Sequence, residues 1–146
     1  MRRQRQGASA IEFALLLIPI TLILGGIIEF GWLFLQSNSL LMAARAGART
    51  GAGIAETASP TPGDAAEDVV RANLTTLGID PNTVTINACV MSISAGGLNE
   101  RALVVTVSQP YSPLTGLLGG RLSSLTLNEQ SIMMMEQVGP LGTDNC

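Results

Sequence analysis

The chain has 146 residues, enough for one domain of ordinary size plus an appendage. Apolar residues make up 47% and charged ones 13%, about half the usual charged share, which excludes a disordered tail, a basic nucleic-acid binder and a long solvated helix. The eight positive charges are all arginine, the formal net charge is −3, and the lack of histidine and lysine removes the imidazole base, the Cys/His zinc site and the histidine triad.

The chain opens MRRQRQGASAIE: Arg2, Arg3 and Arg5, then Gly7, small residues, and Glu12 at the fifth position after the glycine. A glycine presents no side chain to a protease cleft and lets the backbone approach closely. The arrangement resembles the type IV prepilin signal, and on that resemblance a prepilin peptidase cuts between Gly7 and Ala8. The new ammonium on Ala8 then lies one helical turn from Glu12, which neutralises it or that of a neighbouring subunit. An unpaired carboxylate in a low-dielectric bundle is expensive, so the pairing matters. Without the resemblance, Glu12 is an interfacial carboxylate complementing the positive end of a helix, and Gly7 is a loop residue.

From Phe13 to Leu35 the chain reads FALLLIPITLILGGIIEFGWLFL, 23 residues with one charge, Glu29. At helical rise that is ~34 Å, the thickness of a bilayer's hydrocarbon. The arginines before it place the amino terminus inside and everything after Leu35 outside. Too little chain remains to wrap a buried core helix this long. A removed secretory signal has an apolar core of roughly 7–15 residues and a small-x-small site close behind it. Here Trp32, Leu33, Phe34, Leu35 and Gln36 follow, and alanines begin only at Ala43. The reading is a retained single-pass anchor in a lipid bilayer.

Pro19 predicts a kink or loosened turn inside the span. Glu29 lies ~9 Å below Leu35 at helical rise. Either it snorkels to the outer headgroups, with Trp32 in the interfacial aromatic belt, or it joins a helix–helix contact for which Gly25, Gly26 and Gly31 leave room. Beyond the membrane, QSNSLLMAARAGARTGAG continues the helix. Ala43, Gly47 and Gly51 fall four apart on one face, and Ala44, Ala48 and Ala52 on the next, so that another helix or a sheet can approach closely. Arg45 and Arg49 share a third stripe, placed to meet acidic groups of a partner or of the domain itself. Gly51 and Gly53 end the helix.

The residues Gly7-Ala-Ser-Ala-Ile-Glu12-Phe13-Ala-Leu, then Pro19, then Gly26-Ile-Ile-Glu29-Phe30-Gly31, then Ala43-Ala-Arg45-Ala-Gly47-Ala-Arg49 are similar to the TadE-like family. Its members are the minor-pilin or pseudopilin components of the tight-adherence (Flp) pilus assembly system. A looser likeness continues in VVTVSQPYSPLTGLL and LTLNEQSIMMME, whereas Ile54 to Pro81 carries no motif of the family. Processed pilins of this system tend to have tyrosine after the glutamate, where this chain has Phe13. The resemblance implies a single-pass protein of the bacterial inner membrane, its amino terminus cytoplasmic and its domain periplasmic, or a subunit incorporated into an extracellular pilus. The partners it implies are other pilin-like subunits, inner-membrane pilus assembly proteins and the prepilin peptidase.

The exported part starts with a loop, AETASPTPG. Asp64-x-x-Glu67 reads as a capping box before an apolar stripe at Ala66, Val70, Leu74 and Leu77, and Gly78 stops the helix. Asp80-Pro81-Asn82 is a turn. Thr83–Ser94 reads as a first strand, Gly96-Gly97-Leu98-Asn99 as a hairpin, and Arg101–Tyr111 as a second strand with Leu103, Val105, Val107 and Tyr111 on one face. The segment LTGLLGG is an open loop with Leu114, Leu117 and Leu118 exposed, and Leu122–Glu136 is a third strand. Met133, Met134 and Met135 are end-of-strand packing residues, since methionine copper sites use spaced repeats. The fold class is α+β: a long amino-terminal transmembrane helix extended outside the membrane, a short helix, and an antiparallel sheet of about three strands. The organisation is a basic leader at 1–7, the helix and its extension at 8–53, a linker at 54–63 and the exported domain at 64–146.

Cys89 and Cys146 both fall on the predicted outside, where disulfides persist. An internal bridge is the preferred reading and stabilises the domain by up to ~4 kcal/mol in the chain-entropy model; an intermolecular bridge and two free thiols are the alternatives. No Gly-x-Ser-x-Gly, phosphate-binding glycine loop or metal-ligand cluster is present, and the adjacent Glu67 and Asp68 point apart on a helix. The expectation is a non-enzymatic assembly component without cofactor, catalytic residues or metal. The alternative is a membrane-anchored adhesin or binding module at a pilus tip, touching a surface through the loop at Ser112–Gly120.

Overall fold

Apolar residues, then alanines and good helix formers, give the backbone no reason to leave the helix before the glycines at 51 and 53. The structure, a computed structural model, describes residues 2–95, 98–116, 124–135 and 146. A single helix, α1, runs from Arg2 to Ala52 and continues through Pro19. Its 51 residues rise ~77 Å. In the turn after the proline, the Thr21 hydroxyl lies 3.0 and 2.9 Å from the carbonyls of Leu17 and Ile18. The stretch from Ile11 to Ile28 is exposed on nearly every side, so it is not the core helix of the domain. Its length and composition are compatible with a single-pass membrane anchor.

The second helix, α2, spans Pro62–Thr76. It starts two residues before Asp64, because Thr61 is its cap. Thr61 Oγ1 accepts from the Asp64 backbone N–H at 3.2 Å and donates to Asp64 Oδ2 at 2.7 Å, and Pro62 fixes the first turn. The capping pair is thus Thr61–Asp64 and not Asp64–Glu67. Ala66, Val70 and Leu74 are fully buried, but Leu77 is half exposed. The helix ends at Thr76, so its periodicity no longer carries Leu77 inward. Gly78, at φ 76°, makes the left-handed stop that a side chain would resist.

A 3-10 turn at Pro81–Thr83 leads to three strands: β1 (Thr85–Ala95), β2 (Leu98–Pro110) and β3 (Thr126–Met134). They form an antiparallel sheet in the order β1-β2-β3. The expected hairpin tip at Gly96-Gly97, Leu117, Leu118, Leu122 and Glu136 lie outside the described residues. The register puts Val90, Leu103 and Met133 in one row and Ala88, Val105 and Ser131 in the next. These rows face the helices: α1 packs on β2 and β3, and α2 on β1 and on α1. Met133 and Met135 pack with or against the core while Met134 is exposed, the alternation of an ordinary strand end. The whole is the α+β layout expected, a helix pair on one face of a three-stranded sheet.

One charge is built into this fold. Arg101 on β2 is 3% exposed. Its Nε donates to Glu56 Oε1 at 2.8 Å, its Nη2 to Glu56 Oε2 at 3.2 Å and its Nη1 to Ser92 Oγ at 2.8 Å. A two-pronged pair of this kind ties the segment after α1 to the sheet. Removing either partner would leave the other charge poorly solvated.

Candidate functional site

The sequence leaves Glu29 with two expected fates, and the structure gives it neither. It is 1% exposed, covered by its own chain's α+β domain. Where β2 ends, Pro110 and Pro113 bring the segment from Tyr111 to Thr115 back against α1. Tyr111 Oη donates to Glu29 Oε1 at 2.6 Å. The backbone N–H of Leu114 donates to Oε1 at 3.0 Å, and that of Thr115 to Oε2 at 3.0 Å. The Thr115 hydroxyl also donates to Oε2. One helical turn further, Trp32 Nε1 donates to the Ser112 carbonyl at 3.2 Å. Four donors thus converge on one carboxylate, a ring that fixes the foot of the domain to a single level of the helix.

Burial, then the hydrogen bond to Glu29 and its charge, pushes the Tyr111 phenol up to about 12. Tyr111 is the single tyrosine of the chain, so its titration can be read directly. A phenol held protonated by the fold contributes stability that is fully present below pH 10 and is lost as pH rises towards about 12. Tyrosinate absorbance should appear with a midpoint near 12, and a midpoint near the ordinary 10 would contradict this geometry.

The small-residue faces of α1 meet the same chain. Ala43, Ala44, Ala48 and Ala52 are buried in the core with Leu40. A Cβ placed on Gly47 would lie 2.6 Å from Val70 Cγ2 and 2.7 Å from the Ala66 carbonyl oxygen. One on Gly51 would fall on the Pro62 carbonyl and lie 2.5 Å from Leu103 Cδ2. These two glycines let α2 and β2 lie directly on the α1 backbone. Within the apolar part of α1 the pattern differs. Gly25 is buried, whereas a Cβ on Gly26 or Gly31 would meet nothing within 4 Å. The face at Gly26 and Gly31 is open among the described residues.

Other sequence-derived residues are not drawn into the domain. Glu12 is exposed, and the backbone at Gly7 and Ala8 is helical. Arg45 and Arg49 are exposed and form no ion pair among the described residues. Cys89 and Cys146 are joined, with Cα atoms 5.1 Å apart. The bridge lies on the sheet face away from the helices, since Cys89 shares a cross-strand row with Val104 and Ile132. Among the described residues no group of three or more histidine, cysteine or carboxylate side chains could hold a metal ion.

The Glu29 ring itself has no sequence signature. Two of its donors are backbone N–H groups, and all four lie more than eighty residues away along the chain. The same holds for Ser37 of α1, whose hydroxyl donates to the inward-facing Glu129 of β3. The available hint is a tyrosine beside two prolines and a threonine at the end of a strand, a pattern too common to single out.

Residues 7–49 match the model of the TadE-like protein family. The amino-terminal segment is TadE-like. The match begins at Gly7 and ends at Arg49, so it takes in the exposed apolar helix, Glu29 and the glycine at 47, and it stops before α2 and the sheet. It points to a component associated with the Tad pilus. No curated protein and no solved structure matches the chain significantly. The TadE-like segment therefore supplies the exposed apolar helix and the platform on which the domain is built.

Proposed function

We propose that this chain is a non-enzymatic, pilin-like assembly component, a minor pilin or pseudopilin of a tight-adherence pilus, held in the bacterial inner membrane by α1 with its domain on the periplasmic side. Maturation by a prepilin peptidase between Gly7 and Ala8 belongs to the same reading, and the amino-terminal residue of protein from cells reads it out. The observation that carries the proposal is the division of α1 into two faces. One face is filled by the chain's own domain at Ala44, Gly47, Ala48 and Gly51. The other presents Phe34, Leu35 and Met42 to solvent beyond the level of Glu29, followed by Arg45 and Arg49. Exposed apolar side chains aligned with arginines that form no ion pair among the described residues suit another helix carrying carboxylates. Other pilin-like subunits and inner-membrane pilus assembly proteins are the partners proposed.

Arg45→Glu with Arg49→Glu tests it. Both side chains are exposed, so the fold should be nearly unaffected, within ~0.5 kcal/mol. The protein should remain abundant and protease-resistant while the copurifying pilin-like partner is lost. Unchanged copurification would contradict the assignment of this face. The adhesin alternative gains nothing from the geometry: the described part of its loop, Ser112–Gly116, is held against Glu29 at the membrane end of the domain.

A further inference from the structure

We propose that the segment Ser112–Gly116, together with Leu125, is a second membrane contact, lying in the headgroup region of the outer leaflet so that the domain stands directly on the bilayer. The inference rests on the reading of α1 as a membrane span, and it moves the outer end of that span from Leu35 back to Ile28.

Irregular backbone cannot be exposed to hydrocarbon, because its unpaired N–H and C=O groups find no partner there. The segment held by Glu29 is irregular, and it sits at the level of Glu29 and Trp32. Had the hydrocarbon reached Leu35, this segment would lie about 9 Å inside it. The hydrocarbon therefore ends before Glu29. At the other end Glu12 is an exposed carboxylate and marks the inner limit.

Between the two carboxylates lie only the sixteen residues Phe13–Ile28. They rise ~24 Å, against a hydrocarbon core of ~30 Å. A span that short leaves no slack between the domain and the lipid: the bilayer thins, and the surfaces flanking the span are drawn into the interface. The flanking surface here is apolar. Phe30 is 61% exposed, Leu114 55% and Leu125 41%. Leu125 belongs to the same level, since its carbonyl accepts from the Tyr111 backbone N–H at 2.8 Å. No charged residue occurs from Pro110 to Gly116 or at Ser124 and Leu125. The lipid-facing surface of α1 thus continues without a break onto the foot of the domain, and lipid is the occupant that continuity selects.

The full-length protein, reconstituted in phosphatidylcholine vesicles, allows a direct test through single tryptophans. Trp32 is the only native one. In a Trp32→Phe background, tryptophan is placed at Leu22, mid-span; at Leu114; or at Met134, on the exposed end of β3. Lipids brominated near the headgroup or near the bilayer centre, and aqueous acrylamide, serve as quenchers. Leu22→Trp should respond most to the central bromines, Met134→Trp only to acrylamide, and Leu114→Trp most to the headgroup-proximal bromines. Unmodified Trp32 should follow the Leu114 pattern, which keeps the test valid if a variant misfolds. Quenching at 114 by acrylamide alone would overturn the proposal while leaving the span intact. Shielding at 114 from every quencher would mean a protein partner covers it, which overturns it as well. A Leu22→Trp protein untouched by lipid bromines would overturn the span and, with it, this inference.

Discussion

Glu29→Leu should release the foot of the domain from α1. The substitution suits an apolar helix by propensity and hydropathy, so a reading of the helix alone predicts a gain. The geometry predicts the reverse. Two backbone N–H groups and the Thr115 hydroxyl lose the carboxylate that accepts from them, and Tyr111 Oη keeps only the longer contact, 3.4 Å, to the backbone carbonyl of residue 29. A buried donor left without an acceptor costs ~1–3 kcal/mol, so the loss is large even where water reaches part of the group. The segment from Ser112 to Gly116 should become protease-sensitive, and the Tyr111 midpoint should fall from about 12 towards 10. Glu29→Gln should fall between the two, since its amide keeps one acceptor oxygen but turns an NH2 towards groups that are themselves donors. A Glu29→Leu protein with an unshifted tyrosine titration would show that the carboxylate does not hold the loop.

The second large effect belongs to the glycines of the α1 platform. Overpacking costs typically ~1–3 kcal/mol where side chains can shift. At Gly51 the obstacle includes the Pro62 carbonyl, part of the first turn of α2, which cannot rotate away as a side chain can. At Gly47 it is the Ala66 carbonyl and Val70. Even Gly51→Ala should therefore lower the stability of the domain measurably, and Gly51→Leu should abolish the packing of α2 on α1. The expected phenotype is loss of abundance, with fragments cut between Ala52 and Pro62. Gly31→Leu is the control: a side chain there meets open space within the chain, and the protein should remain abundant. Equal abundance of Gly51→Leu and wild type would contradict the packing described.

These two sites show what the sequence can and cannot disclose. The alanine and glycine stripes are local, spaced four apart on one helix, so the existence of a close-packed face is legible without any structure. What lies on that face is not, because a stripe of small residues specifies a distance of approach and no identity. The structure fills it with Ala66, Val70 and Leu103 of the same chain. Glu29 is the opposite case. Its position invites an explanation within the membrane, and the actual partners are the hydroxyls of Tyr111 and Thr115 and the backbone N–H groups of Leu114 and Thr115, where a predicted strand runs into a segment that reads as an open loop. Arg101 follows the same pattern: an arginine at the start of an alternating strand reads as solvated, and only the return of Glu56 from the end of α1 makes its burial tolerable. The period alone places Leu77 inward, but the helix ends one residue before it. Local periodicity carries the helices and strands; contacts that join distant segments through single polar groups leave no such trace.

The proposed assembly role requires that the face of α1 left open by the domain, from Phe34 to Arg49, dock a second helical subunit. Site-specific photo-crosslinking in cells that assemble the pilus tests it most directly. A photoreactive residue at Met42, on the open face, should yield an adduct with a pilin-like protein, while one at Ala72, on the outer surface of α2, should yield none. An adduct-free Met42 protein in cells with normal pili, or equal crosslinking from Ala72, would contradict the claim.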